Sequence, residues 1–198
     1  MAEIWFASDH HIDHANILNF KLDDGVTPMR DFPDVKTMTE VMVTRHNEVV
    51  KPEDKVYCLG DFAIKKRNVN LAALFNGHKR LLRGNHDDAS TKEYLKYFEE
   101  VYASRLLDNC LFTHIPVHPD SIKMEWTNVH GHLHNNGIPM SLGTKYLNIC
   151  VELTDYRPLT LGQVKERIAA QKRRNMELIV GHLAHMGVTN IDLDELPQ

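Results

Sequence analysis

Apolar runs recur along the chain, and most of them stop at Asp, Asn or His. EIWFAS (3–8) runs into Asp9, His10 and His11, KVYCLG (55–60) into Asp61, and KRLLRG (79–84) into Asn85, His86, Asp87 and Asp88. CLFT (110–113) is followed by His114, WTNV (126–129) by HGHLH, and KYLNICVEL (145–153) reads as a further buried strand. Short runs of this kind, bounded by turn residues, predict strands. Between them the spacing is helical. Val35, Met38, Val41 or Met42, and Val49 mark one face over 35–50, and Pro52 stops the run. NLAALFNG (70–77) predicts a helix ending on Gly77. Ser90 with Glu93, and Thr160 with Gln163, form capping boxes that predict helices over 91–100 and 161–174.

Strands alternating with helices predict an α/β architecture. In such sheets ligands gather at the loops leaving the carboxyl ends of the strands, where the Asp, Asn and His residues fall here. At 198 residues, without repeats or linker-like stretches, residues 1–198 read as one domain, with 175–198 as a C-terminal helical or tail extension.

Composition removes several function classes. No stretch approaches the roughly 20 apolar residues of a membrane span, and no basic-then-apolar leader opens the chain, so a cytoplasmic protein is expected. Cys58, Cys110 and Cys150 lie far apart in apolar surroundings and read as core residues, not as a disulfide framework or a thiolate metal site. A formal charge of −4 gives no support for sequence-independent nucleic-acid binding. Of two basic clusters, 172–174 reads as a solvated helix face, while Lys65, Lys66 and Arg67 follow directly on the GDF of 60–62. The 13 histidines change the picture, because histidine is the commonest metal ligand and the near-neutral acid–base residue.

Asp9, His11, Asp61, Asn85, His86, His114, His132 and His134 stand at strand ends and offer carboxylate, imidazole and one amide oxygen. That donor set suits Mn²⁺, Fe, Zn²⁺, Ni²⁺ or Co²⁺ better than Cu(I) or an iron–sulfur cluster. Seven of them could hold two metals if one carboxylate bridges, the clamp used on phosphoryl groups. A glycine precedes Asp61 and Asn85, allowing a tight turn from strand to loop. In GHLH (131–134), extended backbone would point both histidines the same way. His86 is the residue withheld from the metals, with Asp87 beside it to orient the ring or stabilise its imidazolium form. His118 and His130 border the set without being ligands, and His10 points away from it.

The ordered motifs DHH (9–11), GD (60–61), GNHD (84–87), THIP (113–116) and GHLH (131–134) resemble those of the calcineurin-like metallophosphoesterases. WFASDHHIDHANI, RGNHD, VHGHLH and NICVELTDYRPLTL are similar to a small stand-alone branch of that family from bacteria and their phages. The resemblance implies a four-layer α/β/β/α sandwich of two mixed sheets flanked by helices. It implies a first metal on Asp9, His11 and His134, a second on Asn85, His114 and His132, and Asp61 between them. It further implies two divalent transition metal ions, Mn²⁺ first and Fe, Zn²⁺, Ni²⁺ or Co²⁺ as alternatives. A metal-bridging hydroxide would attack phosphorus in line, and His86 would protonate the leaving oxygen.

The chain departs from the best-known phosphatases and nucleases after GD, where it reads FAIKKR, and after GNHD, where Asp88 and Ala89 stand in place of an Arg. Protein-phosphatase specificity is therefore not carried over. The expected substrate is a small phosphate mono- or diester, in first place a nucleotide or cyclic nucleotide. His14 and Asn16 are expected either to face it or to structure the loop, and Lys65, Lys66 and Arg67 to steer it. Nuclease action is the alternative, and a non-catalytic scaffold ranks last because all seven ligand positions and His86 are intact. No membrane partner is expected.

Overall fold

In the computed structural model, which describes residues 2–138 and 145–185, the strand order realises the expected alternation. Strands β1 (Ile4–Ala7), β2 (Lys55–Cys58), β3 (His78–Leu82) and β4 (Glu100–Tyr102) run parallel in one sheet. β9 (Leu159–Thr160) closes its other edge antiparallel to β1, giving the order β4-β3-β2-β1-β9. The second sheet has the order β5-β6-β7-β8, from β5 (Arg105–Leu107), β6 (Cys110–Phe112), β7 (Thr127–His130) and β8 (Tyr146–Asn148). There β5 is antiparallel to β6 and the rest are parallel, so both sheets are mixed.

Side-chain alternation divides the interior into two cores. Phe6, Tyr57 and Leu82 point from the first sheet to Phe112, Val129 and Leu147 of the second, and the Phe6 and Phe112 rings stack with centroids 4.0 Å apart. Cys58 and Leu81 point the opposite way, onto Met38 and Met42 of α1 (Val35–Val49). Asp34 caps α1 by accepting the Thr37 N–H. The long helix α3 (Leu161–His185) buries Val164 in the inter-sheet core, and Gln171 donates to the Tyr146 carbonyl. Over the outer face of the second sheet runs the segment after β6. Val117 N–H donates to Asn128 Oδ1 and Tyr146 Oη donates to the Val117 carbonyl. No helix of the described residues is long and apolar enough to cross a membrane.

One capping box forms in full, and at the other only the serine caps while Glu93 pairs with Lys96. Ser90 Oγ accepts from Glu93 N, while Thr160 and Gln163 each bond the other's backbone N–H. The helix after Ser90, however, is only α2 (Thr91–Tyr94), because Glu99 N–H turns to the Lys79 carbonyl and starts β4. The helix predicted over 70–77 is a 3-10 helix over Lys66–Leu74, and Gly77 lies beyond its end at φ +92°. The strand predicted over 145–153 stops at Asn148 and gives way to a 3-10 turn over Val151–Thr154. α3 continues through the first part of the expected extension, 175–185; residues 186–198 lie outside the described residues.

What positions the site is the shared direction of β1, β2, β3, β6 and β7, whose carboxyl ends open on one side. The parallel bridge between Ser8 and Cys150 links the end of β1 to the chain leaving β8, so loops from the two sheets converge.

Candidate metal centre

Asp9, His11, Asp61, His132 and His134 all have positive φ, between 49° and 68°. Left-handed backbone costs a non-glycine residue of order 1–3 kcal/mol, so the surroundings must hold each one. They do so by bonding loop to loop. Asp9 N–H donates to the Gly60 carbonyl, His11 N–H to that of Asp61, and Ile12 N–H to that of Phe62. His132 N–H donates to Asp9 Oδ2, which stitches the second sheet's loop to the first's. The histidines of GHLH are therefore not on extended backbone, and they diverge: His132 joins Asp61 and His114, while His134 faces Asp9. Two glycines serve close approach. A Cβ on Gly84 would lie 2.2 Å from Asp61 Oδ1, and one on Gly131 would lie 1.9 Å from Ser8 Oγ.

The ligand-type atoms converge in overlapping groups. Asp9, His11 and Asp61 form one, Asp61, His114 and His132 another, each with its donor atoms within 4.8 Å, and Asp61 belongs to both. His11 Nε2 lies 3.7 Å from Asp9 Oδ1 and 3.6 Å from Asp61 Oδ2. These separations are too long for hydrogen bonds. They match two atoms bound to one cation about 2.1 Å from each at a tetrahedral angle, which stand roughly 3.4 Å apart. Asp9 Oδ1 and both ring nitrogens of His11 are buried with no hydrogen-bond partner, as a site shaped for a cation would leave them. In the second group His114 Nδ1 donates to the Leu59 carbonyl, leaving Nε2 2.9 Å from Asn85 Oδ1 and 3.4 Å from Asp61 Oδ2. The residues present thus fit a pair of cations sharing Asp61.

Electrostatics keeps all of these donors but His114 in binding form. Burial works against the Asp9 carboxylate, yet the adjacent His11 and His114 rings and the Ser8 hydroxyl hold its pKa well below the ordinary range. Burial likewise opposes Asp61, and His114 and the His86 N–H bring it below normal. Burial lowers His11, and burial with the neighbouring His114 lowers His132, which favours neutral imidazoles. His114 moves up: burial pulls it down, but Asp61 and Asp9 outweigh that.

A family model of the calcineurin-like phosphoesterases matches residues 2–191. The chain belongs to that family.

Among its relatives in the calcineurin-like family, an uncharacterized protein of Methanocaldococcus jannaschii is 28% identical over 184 residues, covering 87% of this chain and 94% of its own length. The gene 66 protein of Mycobacterium phage D29 is 33% identical over 116 residues, 56% of this chain and 51% of that protein. A protein of unknown function from Aquifex aeolicus has a similar crystal structure, with TM-score 0.61 and 27% identity over 84% of this chain and 99% of that one.

The remaining expected site residues of this calcineurin-like domain fall in different places. His86 is exposed; its backbone N–H donates to Asp61 Oδ1, and its ring stands 5.7 Å from that of His11. Asp87 is not its partner. The Asp87 carboxylate is buried and accepts from the backbone N–H groups of Asp61, Phe62 and Gly84 and from Tyr94 Oη. A carboxylate so placed ties the second loop to the third, because backbone donors outnumber what one ring could offer. His14 lies beside His11, ring centroids 5.5 Å apart, with Nδ1 unpartnered and its pKa lowered to about 4 by burial and by His11. Asn16 is engaged locally, accepting from Asn19 Nδ2. Lys65 precedes the 3-10 helix and Lys66 and Arg67 open it, all three exposed, and Asn68 ties the helix to the first loop by donating to Asp13 Oδ2. His10 points away as expected, into the apolar core against Phe62 and Phe75.

Sequence reasoning missed the groups that brace the ligands. Arg30, 1% exposed, donates to the backbone carbonyls of Asp9 (2.6 Å) and His10 (2.8 Å) and to Glu152. Glu152 accepts in turn from His134 Nδ1 at 2.8 Å, fixing the ring so that Nε2 faces Asp9. Ser8 Oγ and Cys150 Sγ donate to Asp9 Oδ2, which leaves Oδ1 as the free oxygen. A lone acid within the apolar run of 145–153 was the available signal for Glu152. Arg30 had none, since it sits in a segment without periodicity.

Proposed function

We propose that the protein hydrolyses a small phosphate ester, a nucleotide or cyclic nucleotide in first place, using two divalent cations. Asp9, His11 and His134 hold one, Asn85, His114 and His132 the other, and Asp61 both. The observation that carries this reading is the sharing of Asp61 between two ligand groups, in the first of which Asp9 Oδ1 and His11 Nε2 lack protein partners. Cations bound there supply Lewis-acid polarisation of the phosphoryl oxygens and lower the pKa of water. Mn²⁺ heads the candidates that an oxygen and imidazole donor set takes.

The chain's own residues do the rest. His86, exposed at the rim and held by its backbone to Asp61, delivers a proton to the leaving oxygen. Asp87 acts through it only by fixing the loops around it. His14, neutral beside His11, accepts a hydrogen bond from the substrate. Lys65, Lys66 and Arg67 raise the local concentration of an anionic substrate.

The test is hydrolysis of bis-p-nitrophenyl phosphate and of a panel of nucleotides, cyclic nucleotides, sugar phosphates and oligonucleotides, with added Mn²⁺. The reading expects metal-dependent turnover of small esters that disappears in Asp61→Ala. Turnover confined to oligonucleotides would replace it with a nuclease, and inertness towards every ester would leave a scaffold.

A further inference from the structure

Among the seven Phe, six Tyr and two Trp side chains, all within the described residues, only that of Phe20 is exposed, at 43%. The other rings are buried or half-buried, and Phe20 takes no part in either core. Its position is nevertheless fixed. Phe20 N–H donates to the Ile17 carbonyl at the end of a 3-10 helix over Ala15–Asn19. The Phe20 carbonyl accepts from Met29 N–H, across a short hairpin bridged at Lys21 and Pro28. A flat apolar ring held in place yet left in water gains by covering another flat surface.

Its surroundings say which surface. The His14 and Phe20 rings meet edge to face with centroids 6.3 Å apart, and the His14 ring lies 5.5 Å from that of His11. Phe20 therefore stands two rings out from a candidate ligand, on the side of the loop where His14 borders the cluster. Stacking on an aromatic face accepts any base but requires one, and a sugar phosphate has no π-face to offer.

We infer that Phe20 is the stacking platform for the base of a nucleotide, and so the residue that separates nucleotides from sugar phosphates at this site. The base lies on the open face of the ring, the ribose passes His14, and the phosphate reaches the ligand cluster. The inference rests on the reading of the centre as a site for small phosphate esters, and it adds the residue that selects among them.

The probes are two phosphonates that differ only in adenine: that of AMP, with CH₂ in place of the ester oxygen, and its counterpart of ribose 5-phosphate. Their C–P bond resists hydrolysis, so binding to wild-type protein loaded with Mn²⁺ is read by calorimetry without turnover. The adenine compound should bind about 5- to 100-fold more tightly, the worth of one stacked base. Phe20→Ala should abolish that ratio, and Phe20→Trp, which offers a larger face, should keep or raise it. A ratio near one in the wild type, a ratio that survives Phe20→Ala, or no binding of either probe would overturn the inference. Turnover is scored separately on AMP itself. A Phe20-dependent ratio without hydrolysis would remove the hydrolytic reading and leave the base site, whereas hydrolysis without such a ratio would do the reverse.

Discussion

Asp9 and His11 sit in the interior with Arg30, Glu152, Ser8 and Cys150 packed around them, whereas Asn85 and His86 stand exposed on a loop held by backbone bonds to Asp87. On the first side, two of the three candidate ligands are fixed by a second polar group, Asp9 by three donors on Oδ2 and His134 by Glu152, while the His11 ring is held by burial alone. On the second, His114 alone has such a brace among the described residues, the Leu59 carbonyl. Bracing of this kind raises metal affinity and fixes ring orientation. Exposure leaves room for a substrate and a mobile proton donor. On the proposed two-cation reading, the contrast gives retention of a cation to the buried half and chemistry to the open one, with Asp61 coupling them.

The largest effect should come from the shared residue. Asp61→Ala removes a ligand from both halves, and turnover should fall by about 1,000-fold or more, with bound metal lost on direct analysis of the protein. Retention of both ions in that variant would break the coupling. Next is His86→Ala, which touches the open half alone. Its kcat should drop roughly 10²–10⁴-fold while metal content stays at the wild-type level; loss of an ion instead would make His86 a ligand.

Glu152→Gln then probes the buried half. Glutamine keeps an acceptor for His134 but loses the charge that faces Arg30. Affinity for the tighter cation should weaken about 10–100-fold, read by competition with a chelator, while the weaker one is little changed. Equal weakening of both would erase the distinction between the halves.

How much of this was legible beforehand follows from what a sequence records. Candidate ligands at strand ends are visible because a polar residue directly after an apolar run is locally anomalous, and this singled out Asp9, Asp61, Asn85, His114 and His132, which the fold brings to one side. The two mixed sheets were implied by the resemblance alone, since alternation predicts an α/β fold without dividing its strands between sheets. The braces were not visible. Arg30 acts from 21 residues beyond Asp9 and Glu152 from 122 residues beyond Arg30, with no periodicity linking them. Asp87 was misassigned because sequence adjacency suggested His86, while left-handed backbone at Asp61 turned the neighbouring N–H groups towards it. Short strands such as β4 and β9, of three and two residues, carry too little pattern to be read.

A smaller effect concerns pH. His10 is held down to about 3, and His46 and His130 to about 4, in each case first by burial, against 6.5 when unfolded. Between those values the unfolded chain binds protons that the folded one refuses, so stability rises with pH from about 4 to 6.5 and is lost on acidification. Each group contributes up to roughly 1.4 kcal/mol per pH unit within its window. Denaturant titrations should show a shallower slope in His46→Gln, which keeps the bond to the Asn76 carbonyl; an unchanged slope would mean His46 is charged in the fold. Smallest is the triple neutralisation of Lys65, Lys66 and Arg67, expected to raise KM a few-fold at low ionic strength and to have no effect in high salt.

The most direct test of the central claim counts cations. Metal-depleted wild-type protein is titrated with Mn²⁺ by equilibrium dialysis, alongside Glu152→Gln and Asn85→Ala. The account predicts two ions per chain binding in separate steps, the tighter weakened by Glu152→Gln and the weaker by Asn85→Ala. A single step of one ion, or two steps that respond identically to both variants, would contradict a centre built from a braced half and an open half.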